Sequence, residues 1–391
     1  MMVQEESSMK QISALCLAAA LLAAAVPPAS AAGEAVPGLT LSCASAVLME
    51  KETGTLLYEQ NAHEKLEPAS VTKIMTLLLV MEAVDSGQIA LDDTVAVSAY
   101  AAGMGGSQVY LKEGEQMTVS ELIKCVTVVS GNDCAVALAE HLSGSEAAFV
   151  ARMNQRAQEL GMTDTNFVNC TGLPAPGHVT SAYDIALMSR DLILHHPSIR
   201  DYTTIWMDSI RDGTFGLTNT NRLVRFYQGA TGLKTGSTDS ALYCMSATAE
   251  RDGMELIAVV MKAPTSAQRF EDAKALLDYG FASYALVSVY PESPLAPVDV
   301  LLGTVSQVQP QLQRECRLLV RKGEAGQVTT RLTLPQDLEA PVEQGQILGR
   351  MEVYVGEELR DSVPITAAQP VDRLTVPGIF SRLLRQLLMA G

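Results

Sequence analysis

A chain of 391 residues with 48% hydrophobic content is long enough to bury one large core and a second, smaller one. Its formal charge of −16, from 44 acidic against 28 basic side chains, argues against nucleic acid as a partner, because a phosphate backbone is met by surplus Lys and Arg. The net charge says little about a peptide ligand, for which the local field at a site decides.

In chain order, the first element is a leader. Lys10 precedes an apolar run from Ile12 to Val26, and Ala29-Ser30-Ala31 is a small-residue cleavage pattern. Residues 1–31 therefore read as an export signal, with the mature chain starting at Ala32. A permanent anchor is the weaker reading, since the run falls short of the roughly 18 apolar residues a spanning helix needs. Glu5 and Glu6 stand before the basic residue, which makes Met9 a candidate start, and Leu15 before Cys16 is not the small residue of a lipidated cysteine.

Ala46 to Glu50 and Thr55 to Glu59 read as a hairpin around Glu52-Thr53-Gly54. Val71 to Val84 is an apolar run closed by Gly87, the length and composition of a buried helix with Ser70 at its first turn. Thr118 and Glu121 form a capping-box pattern that opens a helix from Val119 to Val128, and Ala135 to Leu142 is another. Helices dominate to His195-His196, read as a helix end. Strands return from Leu242: Ala241 to Glu250 and Glu255 to Lys262 flank the turn Arg251-Asp252-Gly253, and Gln268 to Tyr284 is a closing helix. First and last strands can share one antiparallel sheet with a helical subdomain inserted between them, an α/β fold over residues 38–285 with its site at the seam. After Pro291 the texture changes to short strands such as Cys316 to Arg321 and Gln327 to Leu332, an all-β module over residues 290–375. In residues 376–391, Val376, Ile379, Phe380, Leu383, Leu384, Leu387 and Leu388 share one helical face, opposite Arg382 and Arg385, with no acid. That pattern predicts an amphipathic helix lying on an anionic membrane surface.

The motifs that carry chemistry are Ser70-Val71-Thr72-Lys73, Ser130-Gly131-Asn132 and Lys234-Thr235-Gly236. Residues three apart share a helix face, so the Ser70 hydroxyl and the Lys73 amine can meet. Burial of Lys73 in an apolar helix disfavours its ammonium form and makes it a candidate base. Backbone N–H groups at the helix start can face a developing oxyanion. Gly131 allows a tight turn that exposes Ser130 and Asn132. Lys234-Thr235-Gly236 is placed at the start of a strand, where a substrate backbone could pair with a sheet edge. Taken singly, each motif is weak: Ser7 and Lys10 repeat the first spacing at the N-terminus, and Lys51-Glu52-Thr53-Gly54 nearly repeats the third. Their conjunction and order point to acyl transfer through a seryl intermediate. No Cys or His spacing suggests zinc, and the five histidines form no His-Glu-x-x-His pattern, so neither metal nor cofactor is expected. Cleavage of the leader leaves six cysteines, several inside apolar patterns where free thiols are common, and the reading favours mostly unpaired ones.

By these residues the chain resembles the D-alanyl-D-alanine carboxypeptidases of the low-molecular-mass penicillin-binding protein class. Pro68-Ala69-Ser70-Val71-Thr72-Lys73-Ile74-Met75-Thr76 is similar to the family's nucleophile segment. Ser130-Gly131-Asn132-Asp133, Ser181-Ala182-Tyr183-Asp184 and Gly232-Leu233-Lys234-Thr235-Gly236 also fit family patterns. The resemblance covers roughly residues 40–375. It implies a penicillin-binding transpeptidase-like α/β fold with a C-terminal β-domain, Ser70 as acylated nucleophile and Lys73 as general base. It also implies Ser130 as proton relay to the leaving amine, Asn132 as a contact to the substrate amide, Lys234, Thr235 and Gly236 at the terminal carboxylate, and a Ser237 N–H beside that of Ser70 for the oxyanion. Peptidoglycan stem peptides ending in D-Ala-D-Ala are the implied substrates, β-lactams the implied inhibitors, and the outer face of the bacterial cytoplasmic membrane the implied place. Two departures bear on substrate preference: Thr171 stands where many relatives have histidine before the Gly-Leu pair, and Ser237 where the residue is often larger. A β-lactamase of the same fold is the enzymatic alternative, weakened by the lack of a Glu-x-x-Leu-Asn pattern between Ser130 and Lys234. A non-catalytic wall-binding or penicillin-sensing protein is the alternative of another class.

Overall fold

The computed structural model describes residues 39–380 and Leu388. The leader and most of the C-terminal tail, with the export signal and the amphipathic helix expected there, lie outside the described residues.

Strands β1 (Ser45–Glu50) and β2 (Leu56–Gln60) form the expected hairpin. The nucleophile segment departs from expectation. Instead of one helix with Ser70 in its first turn, a tight 3-10 turn, Ala69–Thr72, precedes α1 (Lys73–Asp85). Pro68 starts the turn, Ala69 takes a left-handed φ of 48°, and Val71 N–H donates to Pro68 O at 3.2 Å. That bond spans three residues, the 3-10 spacing. Every residue of α1 except Glu82, Val84 and Asp85 is buried, so the helix is apolar all round and runs through the core.

Helix α2 (Val119–Val128) has the expected bounds and cap: Glu121 N–H donates to Thr118 Oγ1, and Thr118 N–H to the Glu121 carboxylate. Helix α3 (Asn132–Ser143) starts three residues before the expected Ala135, so Asn132 is its first residue and not part of a free connection. The break falls at Ser130, which holds a φ of 65°, and Gly131. Helices α4 (Glu146–Glu159) and α5 (Ala182–His195) follow, the latter ending at the histidine pair.

The lysine motif also lies elsewhere than expected. It sits in the middle of its own strand, β3 (Ala230–Thr238), ahead of β4 (Leu242–Arg251) and β5 (Met254–Ala263). Two glycines and a lysine in nine residues hide the strand from a period-two reading. Sheet order is β2-β1-β5-β4-β3, antiparallel throughout, with first and last strands paired from Ser45↔Met261 to Glu50↔Leu256 as anticipated. Strand β3 is an edge. Alternation along the strands fills both faces. Val47, Met49, Ile257, Val259 and Met261 pack into the helical subdomain around α1. Ala46, Leu48, Leu256, Ala258 and Val260 pack against α6 (Ser266–Ser283).

The closing helix ends at Ser283 because Tyr284 already begins strand β6 (Tyr284–Val289), which pairs with β7 (Cys316–Arg321). Strands β8 (Val328–Thr333), β9 (Ile347–Val355) and β10 (Glu358–Ala367) join Pro310–Leu312 in a four-stranded sheet, completing an all-β module with its own apolar clusters. Leu319 of β7 reaches back into the sheet–α6 core, and Arg317 donates to Gly253 O at 2.9 Å. All six cysteines from Cys43 to Cys316 are free and buried. Residues 376–380 are helical, with Val376 and Phe380 exposed; Leu388 is exposed too. Among the described residues no helix is long and apolar enough to cross a membrane.

Candidate active site

The 3-10 turn and α1 put Ser70 and Lys73 on one face, and Lys73 Nζ donates to Ser70 Oγ at 2.9 Å and to Thr171 O at 2.7 Å. Lys73 is completely buried. Burial pulls its ammonium down to about 7, against smaller opposing effects from Cys170, Asp133 and Cys134. The hydroxyl and a buried amine are thus in contact, on the face that the spacing of three residues predicts.

The second wall comes from the α2–α3 junction. Asn132 Nδ2 donates to Gly105 O at 2.6 Å and its backbone N–H to Ser107 O at 2.7 Å, tying the junction to the loop before it. Ser130 Oγ and Asn132 Oδ1 are buried without a hydrogen-bond partner. Buried polar atoms are nearly always satisfied, so both groups are available for a further hydrogen bond. Asp133 underpins the junction by accepting from Val109 N–H at 3.0 Å and Leu111 N–H at 3.1 Å.

Strand β3 supplies the third wall. Lys234 is buried, and its amine lies well below its ordinary value, first from burial, then from the charges of Lys73 and Arg269. It donates to Thr235 O at 3.0 Å, and Thr235 Oγ1 donates to Thr220 Oγ1 at 2.7 Å. Gly236 sets the spacing between walls: a Cβ there would lie 2.7 Å from Ser70 N and 2.9 Å from Val71 N. Ser237, next along the edge, is exposed. The structure puts Ser70 in contact with Lys73 and its amide beside Gly236, and brings Lys234 within electrostatic reach of Lys73. Ser130 and Asn132 lie at the α2–α3 junction, whose Asp133 also reaches Lys73 electrostatically.

Sequence reasoning missed two residues. Arg269 of α6 is buried, donates to Gly236 O at 3.1 Å and Cys244 O at 3.4 Å, and is lowered to about 10 by burial. Among the described residues no carboxylate forms an ion pair with Arg269, Lys73 or Lys234. His178 lies behind the nucleophile turn. Its Nδ1 accepts from Val168 N–H at 3.0 Å, which leaves Nε2–H to donate to Thr72 Oγ1 at 2.8 Å. Burial holds this imidazole down to about 4 and hence neutral. Both act through backbone groups remote in sequence, and no short motif marks either. Thr171, in place of the histidine expected by resemblance, serves Lys73 with its carbonyl, while its hydroxyl donates to Asn169 Oδ1 at 3.1 Å. Among the described residues no cluster of side chains could hold a metal ion.

Close approach at Gly236 makes a prediction. Gly236→Ala forces a methyl into the Ser70 and Val71 amides and should destabilise the fold by about 1–3 kcal/mol, as overpacking does. Thermal unfolding measures it, and an unchanged midpoint would refute the contact.

Known proteins share both the sequence and the fold. Residues 30–265 match the family model described as D-alanyl-D-alanine carboxypeptidase, and residues 284–373 match the penicillin-binding protein 5 C-terminal domain. D-alanyl-D-alanine carboxypeptidase DacF of Bacillus subtilis is 40% identical over 372 residues, covering 93% of this chain and 95% of that protein. Penicillin binding protein 5 from Haemophilus influenzae superposes with a TM-score of 0.74 at 30% identity, over 87% of this chain and 100% of that one. Penicillin-binding protein D2 from Listeria monocytogenes, in its ampicillin-bound form, is 37% identical with a TM-score of 0.55, over 63% of this chain and 100% of that one. The chain belongs to the D-alanyl-D-alanine carboxypeptidase family of serine peptidases.

Proposed function

We propose that this enzyme removes the terminal D-alanine from peptidoglycan stem peptides through an acyl-enzyme on Ser70, and that β-lactams acylate the same serine. The observation that carries this is the 2.9 Å contact between Ser70 Oγ and a fully buried Lys73 whose amine is lowered to about 7. Neutral Lys73 takes the Ser70 proton as Oγ attacks the penultimate D-alanine carbonyl. The N–H groups of Ser70 and Ser237 receive the oxyanion. Ser130 passes a proton to the departing amine, and Asn132 binds the substrate amide through the groups orphaned at the junction. Lys234 and Thr235, with Gly236 giving room and Arg269 adding charge, hold the terminal carboxylate. That anion restores to Lys234 the proton which burial and its cationic neighbours disfavour. Water then releases the acyl group. Penicillin-binding protein D2 of Listeria monocytogenes, with ampicillin bound, supports the inhibitor half of the reading.

Release of D-alanine from a diacyl-Lys-D-Ala-D-Ala peptide tests the activity. Ser70→Ala should abolish both that release and labelling by a fluorescent penicillin, with the fold intact. A protein that labels fully without Ser70, or releases no D-alanine when wild type, contradicts the assignment.

The pH dependence follows from the same contact. Lys73 works deprotonated, and burial places its transition near 7, so the acylation rate should rise with pH through that value. A free lysine would instead titrate at roughly 10.4. Lys73→Arg keeps the charge but cannot lose a proton. An arginine variant with substantial acylation, or a flat profile from pH 6 to 9, would exclude proton abstraction by Lys73.

We further propose that residues 1–31 direct export, residues 38–285 form the peptidase domain, residues 290–375 form a stalk, and residues 376–391 lie on the outer face of the membrane as an amphipathic helix. Seven apolar side chains and two arginines without an acid support the last point. Removing residues 376–391 should release the mature protein from anionic vesicles while leaving D-alanine release from a soluble peptide unchanged. Equal co-sedimentation of truncated and full-length protein would overturn it.

A further inference from the structure

Beside the strand that carries the lysine motif stands an aromatic pair from which folding gains little. Trp206, the chain's single tryptophan, is half-buried, and its ring meets that of Phe226 edge-on at 5.8 Å and 71°. Phe226 is 73% exposed. A lone exposed ring is ordinary, but a Trp–Phe pair facing solvent has the composition of a binding surface.

Both rings are fixed relative to β3. Asn219 donates from its backbone N–H to Trp206 O at 2.9 Å and from Nδ2 to Ile205 O at 2.7 Å. Asn221 accepts from Leu223 N–H at 3.0 Å, at the start of the helical turn Leu223–Phe226, and donates to Gly232 O of β3 at 2.8 Å. Between the two asparagines lies Thr220, whose hydroxyl accepts from Thr235 Oγ1 at 2.7 Å. Residues 219–221 thus set the pair beside the Thr235 wall, the side to which the departing D-alanine is assigned.

Charge narrows the occupant. The chain carries −16 overall, yet no acid stands from Asn219 to Gly229, where Arg222 and Arg225 are exposed. Among the described residues neither guanidinium has a partner. Asp208, two residues after Trp206, is taken by Lys124 at 2.7 Å. Phe226 N–H donates to Arg222 O at 3.1 Å, so these two side chains share one face of the turn. Rings beside unpaired arginines suit a ligand with flat C–H faces and carboxylates. The carboxypeptidase reading, on which this inference rests, supplies one, since peptidoglycan is a chain of pyranose rings hung with peptide carboxylates. The stem peptide under attack has a single residue on this side of the scissile bond, so a strand that reaches the rings is a neighbouring one.

We propose that Trp206, Phe226, Arg222 and Arg225 form a docking site for a neighbouring glycan strand of the wall polymer, with sugar faces on the rings and peptide carboxylates on the guanidinium groups. The site holds the enzyme on the polymer and takes no part in the chemistry.

Trp206 reports binding directly, being the chain's only indole. A β-1,4-linked N-acetylglucosamine tetramer should change its emission saturably in the full mature protein. Phe226→Ala should weaken that binding roughly 2- to 10-fold, the range for one aromatic contact, and Phe226→Tyr should restore it. On insoluble peptidoglycan, Phe226→Ala and the double variant Arg222→Ala, Arg225→Ala should raise the KM for D-alanine release and leave kcat alone. Release from soluble diacetyl-Lys-D-Ala-D-Ala, penicillin acylation and the melting temperature should stay unchanged, because these side chains are exposed. A wild-type protein whose emission shows no saturable change overturns the site. Binding of a polyphosphate chain and not the tetramer also overturns it, since the arginines would then serve a phosphate polymer. Equal loss on polymer and soluble peptide does so too, because the pair would then only brace β3. A wild-type protein that releases no D-alanine removes the carboxypeptidase reading itself, whereas the tetramer titration needs no turnover and judges the docking site separately.

Discussion

A buried lysine whose desolvation outweighs the pull of nearby Asp133 governs this molecule. Lys73 keeps a depressed proton affinity only while water is excluded on every side, which requires α1 to be apolar around its circumference and covered by the helical subdomain on one side and the sheet on the other. A carboxylate opposes the effect, and Asp133 does so in smaller measure than burial lowers it. Lys234 is lowered in the same way, first by burial and then by the charges of Lys73 and Arg269. Burial thus keeps both lysines below their ordinary proton affinity, beside the unpaired Ser130 and Asn132 oxygens at the α2–α3 junction.

Much of this was legible from residues alone where local rules and global fold agree. The capping box at Thr118 and Glu121, the opening hairpin, the closing helix and the pairing of first with last strand each rest on a periodic pattern plus a punctuating residue. The candidate set stood out because its members fall in short spacings, Ser70 to Lys73, Ser130 to Asn132 and Lys234 to Gly236. Strand β3 was not, because glycine at 232 and 236 serves close approach at the cost of the alternation that marks strands. The 3-10 turn at Ser70 was hidden as well. Only the backbone reveals that Ala69 turns left-handed between Pro68 and the helix. Arg269 and His178 escaped since their partners are carbonyls, amides and a threonine hydroxyl scattered over the chain, and the end of α6 was overrun by one residue where Tyr284 leaves the helix for the β-module.

The two blocks of the chain are joined more firmly than a linker would join them. Strands β6 and β7 pair directly beyond α6, Leu319 enters the sheet's second core, and Arg317 binds the β4–β5 turn at Gly253. Orientation of the β-module is thus tied to the face of the sheet that α6 covers, opposite the helical subdomain that houses Lys73.

The pairing of β1 with β5 has a temporal side. Ser45 lies opposite Met261, so the sheet closes only after nearly the whole peptidase domain has been made, and every catalytic motif lies between those two strands. Contacts so distant in sequence form slowly. Ser70 is made early, yet Lys73 cannot be fully buried until β5 arrives. The Ser70–Lys73 pair is thus completed late: an unfinished chain offers a lysine that is still hydrated and keeps its proton.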